Sequence, residues 1–155
     1  MKKLENMLKQ LEDSRNKLKT SFNDMIREFL MENPDVKIVS FEGYTPEFND
    51  GDECEFTISE TEIGELIEGE YDDECEEFVG GCLELEGEEK AKMVEYINRN
   101  NDTSPKLATL YETITRNDDV EIILAQTYGT RGFRLTYYFK NGKFIILEED
   151  YDCGY

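Results

Sequence analysis

The stretch Asn49-Asp50-Gly51-Asp52, inside the run YTPEFNDGDECEF, gathers three oxygen-bearing side chains around one glycine. Oxygen ligands at close spacing are what hard cations such as Ca²⁺ and Mg²⁺ select. An EF-hand loop needs D-x-[DN]-x-[DN]-G and a glutamate at its twelfth position, and that spacing is missing. The residues fit better as an Asx-type turn, with Gly51 at positive φ and the carboxylates capping backbone amides. Paired carboxylates hold Mg²⁺ in nucleases, but no lysine lies anywhere in the surrounding segment to complete that chemistry. Histidine is absent from the chain. This excludes Ser-His-Asp and Cys-His catalysis and every histidine-containing zinc site. Cys54, Cys75, Cys82 and Cys153 form no CxxC pair, so free thiols are expected. No P-loop or GxGxxG is present. The expectation is a protein with no catalytic residue, no cofactor and no bound metal.

Charge is the more informative chemistry. The formal net charge is −20 over 155 residues. Residues 38–89 hold 20 Asp and Glu and no Lys or Arg, whereas the remaining residues hold 17 of each sign. The whole excess therefore lies in one segment. Carboxylates at about the spacing of DNA phosphates can occupy a basic groove that otherwise holds nucleic acid. The segment also carries Phe41, Phe56, Ile58, Leu66, Tyr71, Phe78 and Leu83, hydrophobes that should anchor it to a core. The candidate partner-binding residues are Glu47, Asp50, Asp52, Glu53, Glu65, Glu68, Glu70, Asp72, Asp73, Glu74, Glu76 and Glu77. Direct nucleic-acid binding by this surface is not expected, since phosphates would be repelled.

The elements that must position these groups follow from periodicity. Residues 2–32 contain no Gly or Pro and place Leu4, Leu8, Leu11, Leu18, Phe22, Met25 and Phe29 in alternating steps of four and three. That is the a/d seam of a heptad, interrupted once by Arg15. A 31-residue helix spans roughly 46 Å, longer than a small core needs. Its C-terminal half should pack on the domain, and Leu4, Leu8, Leu11 and Leu18 form a candidate oligomer seam. Asn33-Pro34 ends it. VKIVSF (36–41) and ECEFTIS (53–59) read as strands, with the turn-rich GYTPEFNDGD between them as a loop. Residues 60–86 resist assignment. Two helices are expected at 87–100, on Ala91, Val94 and Ile97, and at 104–116, where Ser104-Pro105 supplies an N-cap and first-turn pair. The C-terminal part reads as three antiparallel strands, VEIILAQTYG, FRLTYYF and FIILEEDY, with Asn141-Gly142 the hairpin signal. The predicted fold class is α+β: a long N-terminal helix (1–33), then a domain (34–155) with an antiparallel or mixed sheet of about five strands and two shorter helices on one face.

The run FEGYTPEFNDGDECEF resembles a motif of an uncharacterised phage and bacterial protein family, close to W-x-Q-Y-T-P-x-F-N-D-G-D-x-C-x-F. The positions that match are Tyr44, Thr45, Pro46, Phe48, Asn49, Asp50, Gly51, Asp52, Cys54 and Phe56. Phe41 stands where the family often has Trp, and Gly43 where it often has Gln. The C-terminal Asp150-Tyr-Asp-Cys-Gly-Tyr155 is also similar to that family's ending. The resemblance implies a phage or prophage context and no particular activity.

Three readings follow. The first is an acidic, DNA-mimic-like protein that binds and inhibits a basic, nucleic-acid-handling host protein, such as a nuclease or defence enzyme. The second is an assembly protein, such as a homodimer, that oligomerises through the N-terminal helix. The third is a carboxylate metal-binding protein built on Asp50 and Asp52. No apolar run approaches the roughly 18–20 residues of a membrane span, and the first residues lack the apolar core of a signal peptide. A cytoplasmic protein with no membrane partner is expected.

Overall fold

Helix α1 runs from Lys2 to Glu32, as the heptad spacing predicts, and nothing in its sequence interrupts it. The computed structural model describes residues 1–46, 51, 54–61, 66, 70–72, 77–79, 88, 91, 92, 94, 95, 97, 99 and 104–151; residues 70–72 and 77–79 are described by their backbone alone. The termini of α1 do little to stabilise it. Met1 offers no side-chain cap, and no basic residue lies in the last turn. Lys2 and Lys3 oppose the helix dipole at its positive end. Packing supports only the C-terminal part, where Ile26 and Leu30 are buried. Asn33 closes the helix, donating from its backbone N–H and from Nδ2 to the Phe29 carbonyl.

The main sheet has four antiparallel strands in the order β2-β1-β5-β6, and the class is α+β. β1 (Ile38–Tyr44) lies at its centre, flanked by β2 (Thr57–Glu60) and by β5 (Gly132–Lys140). β6 (Lys143–Asp150) returns from β5. Asn141 and Gly142, at φ +52° and +77°, form the two-residue hairpin turn that the Asn-Gly pair predicts. β3 (Glu70–Asp72) and β4 (Glu77–Val79) pair as a separate two-stranded ribbon within the acidic segment.

The fold departs from the sequence expectation in three places. The sheet has four strands rather than five because VEIILAQTY is a helix, α3 (Asp118–Tyr128). Its signals lie at the ends. Asn117 Oδ1 accepts from the N–H groups of Asp119 and Val120, and Asp118, Asp119 and Glu121 complement the dipole in the first turn. Gly129 closes it at φ +88°. The apolar triplet Ile122-Ile123-Leu124 reads as a strand only when those caps are ignored. Second, ECEFTIS is extended only from Thr57, and Gly43 and Tyr44 belong to β1 rather than to the loop. Third, the two expected helices occupy opposite faces. Helix α2 (Pro105–Arg116) forms as predicted, with Ser104 Oγ accepting from Leu107 N–H at 3.2 Å. The described residues of 88–99 are also helical. Alternation along the strands separates their packing. Leu107, Tyr111 and Ile114 join Val39, Phe41, Leu135 and Tyr137, whereas Ile97 and Val94 join Ile38, Tyr138 and Leu147.

The larger core therefore lies between one sheet face and the helices α1, α2 and α3. Its aromatic spine runs Phe22, Phe41, Tyr137, Phe144, with centroid separations of 5.8, 6.2 and 6.0 Å. Phe41 and Tyr137, the two fully buried rings, each contribute on the order of 1.5–3 kcal/mol by leaving water, and the half-buried Phe22 and Phe144 less.

Candidate functional site

Three regions could carry function: the polar face of the sheet, the acidic segment, and the N-terminal half of α1.

The polar face is built by the same alternation that builds the core. Val39, Phe41, Leu135 and Tyr137 point to the helices, so Ser40, Glu42, Arg134 and Thr136 must point the other way. Register places Glu42 opposite Arg134 and Ser40 opposite Thr136. Arg134 Nε donates to Glu42 Oε2 at 3.1 Å, with both side chains less than a tenth exposed. Thr61 Oγ1 donates to the same carboxylate oxygen at 3.1 Å, and Ser40 Oγ donates to Thr61 Oγ1. Ser40 Oγ lies 2.9 Å from Thr136 Oγ1. Since Ser40 spends its proton on Thr61, Thr136 is the donor there. The hydroxyls thus form one directed chain, Thr136 to Ser40 to Thr61, ending on the Glu42 carboxylate, and each link polarises the next. Two charges taken from water demand this many partners.

The C-terminal strand end docks on this cluster. Tyr151 N–H donates to the Gly132 carbonyl. A Cβ on Gly132 would collide with the Tyr151 carbonyl oxygen, so glycine is required there. The Arg134 guanidinium carbon lies 4.9 Å from the centroid of the Tyr151 ring, and Tyr44 packs on that ring at 5.5 Å. Thr45 Oγ1 donates to the Thr130 carbonyl at 2.8 Å. Tyr44 and Thr45 open the YTPEFNDGD motif, and Tyr151 belongs to the C-terminal tail. The fold therefore brings the start of the motif and the start of the tail together around Arg134, two places 107 positions apart in the chain. Glu149, opposite Arg134 in the hairpin, has a buried Oε1 with no hydrogen-bond partner among the described residues. Sequence reasoning missed Glu42, Arg134 and Tyr151. The available signal was a charge at an inward position of each apolar strand, one acidic and one basic.

The candidate acidic residues stand differently. Glu47, Asp50, Asp52, Glu53, Glu65, Glu68, Asp73, Glu74 and Glu76 lie outside the described residues, and Glu70, Asp72 and Glu77 are placed by backbone on β3 and β4. Gly51 has φ +87°, the conformation a tight Asx-type turn requires. Among the described residues, no cluster of three or more Cys, Asp or Glu could hold a metal ion, and Cys54 is a half-buried free thiol. What holds the acidic segment to the fold is visible. Ile58 of β2 and helical Leu66 are 5% and 2% exposed, one in each core cluster. Glu42 is withdrawn from any acidic surface by its burial against Arg134.

The seam residues of α1 fall into two groups. Phe22 and Phe29 pack against the core, whereas Met25 between them is 42% exposed. Leu4, Leu8, Leu11 and Leu18 are 54, 56, 57 and 37% exposed, and every residue from 1 to 18 is exposed. Lys19 ties the helix to the body: its ammonium meets Glu148 at 2.8 Å and lies 5.5 Å from the Tyr128 ring centroid. No described helix is long and apolar enough to cross a membrane.

The helix-covered face holds the ionisable groups with displaced pKa values. Burial pushes the Tyr111 hydroxyl up to about 12, with Glu60 adding to the shift and the bond from Ser40 N–H opposing it. Burial and then Glu148 push Tyr128 up to about 12 as well. Tyr137, which donates to Asn23 Oδ1 at 2.8 Å, is raised further, chiefly by burial. All three stay neutral over the physiological range, so none is poised as an acid or base.

Comparison of the chain with protein-family models, with curated proteins and with solved structures gives no match.

Proposed function

We propose that the protein is a non-catalytic binding protein whose acidic segment docks on a basic, nucleic-acid-handling partner and blocks its groove. The observation that carries this reading is the charge map. All of the −20 excess falls in residues 38–89. Support comes from how the segment is tied down. β1 and β2, at its N-terminal end, belong to the main sheet, and Leu66 is buried under the second core cluster. Carboxylates on a tethered segment lose less freedom on binding than those on a free tail, which favours affinity. The resemblance of the YTPEFNDGD run to a phage family fits an inhibitor of a host nuclease or defence enzyme, acting in the host cytoplasm. Such a partner is recognised by its basic surface, not by sequence.

The test is capture of a purified candidate partner by the intact chain, against a variant with Asp72, Asp73, Glu74, Glu76 and Glu77 changed to the corresponding amides. Capture is expected at about 0.1 M salt and loss at about 1 M, where the Debye length falls to roughly 3 Å. Duplex DNA should compete with the acidic protein for the partner. Binding that survives 1 M salt, or that the amide variant retains in full, sinks the reading.

A further inference from the structure

Residues 1–18, Met1 and the first half of α1, are exposed, and their apolar positions keep a heptad spacing that Phe22 and Phe29 continue, while the packed half buries Ile26 and Leu30 and leaves Met25 exposed. A solitary helix of this length is marginal in water. Its first turn carries Lys2 and Lys3 against the dipole, and no side chain caps it. The seam residues of this overhang are Met1, Leu4, Leu8, Leu11, Arg15 and Leu18. Their numbers are symmetric: Met1 with Leu18, Leu4 with Arg15, and Leu8 with Leu11 each sum to nineteen. A two-fold axis midway between Leu8 and Leu11 therefore maps the seam onto itself, which is the condition for a self-complementary interface.

We propose that residues 1–18 pair with residues 1–18 of a second copy as an antiparallel two-stranded coiled coil, with Leu8 of each chain opposite Leu11 of the other. The register covers residues 1–18, about 27 Å at 1.5 Å per residue, and stops short of Lys19, which meets Glu148 of the body. Charge selects the antiparallel arrangement. In a parallel pair, Arg15 would face Arg15 in one seam layer and the two acidic bodies would share one end. In the antiparallel pair Arg15 meets the second copy's Leu4, over which its aliphatic stem lies while the guanidinium reaches water. The bodies stand at opposite ends. The overhang holds five of the 17 basic residues and three of the 37 acidic ones, so it carries +2 and the remainder −22. Each basic N-terminus then lies beside the other copy's acidic body. Glu5 and the second copy's Glu12 come onto the same flank, an exposed like-charge pair whose cost is small and screened. This inference stands on the exposed seam and is independent of the acidic segment's role.

Sedimentation of the full chain at roughly 10 µM, the range a micromolar dimer fills, should give twice the 18.1 kDa chain mass. The double variant Leu8→Glu/Leu11→Glu should give half that mass and lose at most the overhang's share of the far-UV helix signal, with the body still folded, because both side chains are exposed in the single chain. Orientation is read by an amine cross-linker with a spacer of about one helix diameter, roughly 10–12 Å, on a mixed ¹⁴N/¹⁵N sample. Links between Lys3 of one isotope and Lys17 of the other are expected. A chain that stays monomeric up to about 100 µM, a dimer that survives the double variant, or mixed-isotope links joining Lys3 to Lys3 would each overturn the proposal.

Discussion

One face of the four-stranded sheet carries Val39, Phe41, Leu135 and Tyr137 beneath three helices; the other carries Ser40, Glu42, Arg134 and Thr136 from the positions in between. The same two strands supply both rows. On the helix side the rings of Phe41 and Tyr137 stack, and binding is non-directional. On the other side a carboxylate, a guanidinium and three hydroxyls are joined by bonds of 2.9 to 3.1 Å, and every partner is specified. The apolar face can supply most of the stability. The polar face fixes what lies on it: Tyr151, at the start of the C-terminal tail, and the start of the YTPEFNDGD run. The largest expected effect is accordingly on the helix side. Phe41→Ala removes a fully buried ring at the centre of the spine and should cost about 3–5 kcal/mol in urea unfolding. A loss below about 1 kcal/mol would mean that the three helices do not depend on this face.

The polar face should respond in a different pattern. Arg134→Met leaves Glu42 buried beside hydroxyls without its cation, and should cost about 3 kcal/mol. The double variant Glu42→Leu/Arg134→Met removes both charges and should recover most of that loss, because a well-packed apolar pair is often as stable as a buried ion pair. Double-mutant analysis of urea melts would show it. Additive losses would mean the two side chains act separately, contrary to the 3.1 Å contact. No such recovery is available for Phe41, where the cost is a cavity.

How much of this was legible depends on which kind of signal each element uses. Long-period signals were read well: α1 ends within one residue of its predicted bounds, and Ser104-Pro105 and Asn141-Gly142 each mark the element they announce. Residues 120–128 were misread because the composition of Val120 to Leu124 favours a strand, while the deciding groups, Asn117 and Gly129, sit outside the apolar run. The polar cluster was not legible. Glu42 counts as one more acid in an acidic segment until β1 pairs with β5, and that pairing joins residues 92 positions apart. The alternation of each strand marks its charge, but no local pattern encodes that the two charges meet. The mirror symmetry of the overhang, by contrast, was in the sequence throughout. It acquires meaning only when residues 1–18 prove exposed.

A proton titration tests the one group that links the faces. Tyr111 rises from α2 through the apolar core, and its hydroxyl accepts from the Ser40 backbone N–H at 3.2 Å, just where β2 stops pairing with β1. Burial holds its pKa at about 12 against the ordinary 10. Below pH 10 both folded and unfolded chains keep the proton, and the stability is intact. Between pH 10 and 12 the unfolded chain ionises and the folded one does not, so stability falls as pH rises. The loss specific to Tyr111 should reach about 2–3 kcal/mol by pH 12, at 1.36 kcal/mol per unit. Tyr111→Phe should flatten the stability curve by that amount over this window and not below pH 9. An unchanged alkaline slope would show that the hydroxyl is not held in the apolar face.

The smallest effect belongs to the edge where the polar face meets the tail. Tyr151 contributes one ring, set against the Arg134 guanidinium on one side and Tyr44 on the other. It is only half-buried, so solvent screens the cation–π contact and leaves about 0.5–1 kcal/mol of it. The tilted contact with Tyr44 adds a similar amount. Tyr151→Ala should therefore cost about 1 kcal/mol. In the Arg134→Met background the alanine change should lose roughly half its effect, because the guanidinium beside the ring is gone. If the cost stayed the same there, the guanidinium would contribute nothing to holding Tyr151. The tail would then rest beside the buried ion pair without contributing to it, and the polar face would end at Arg134.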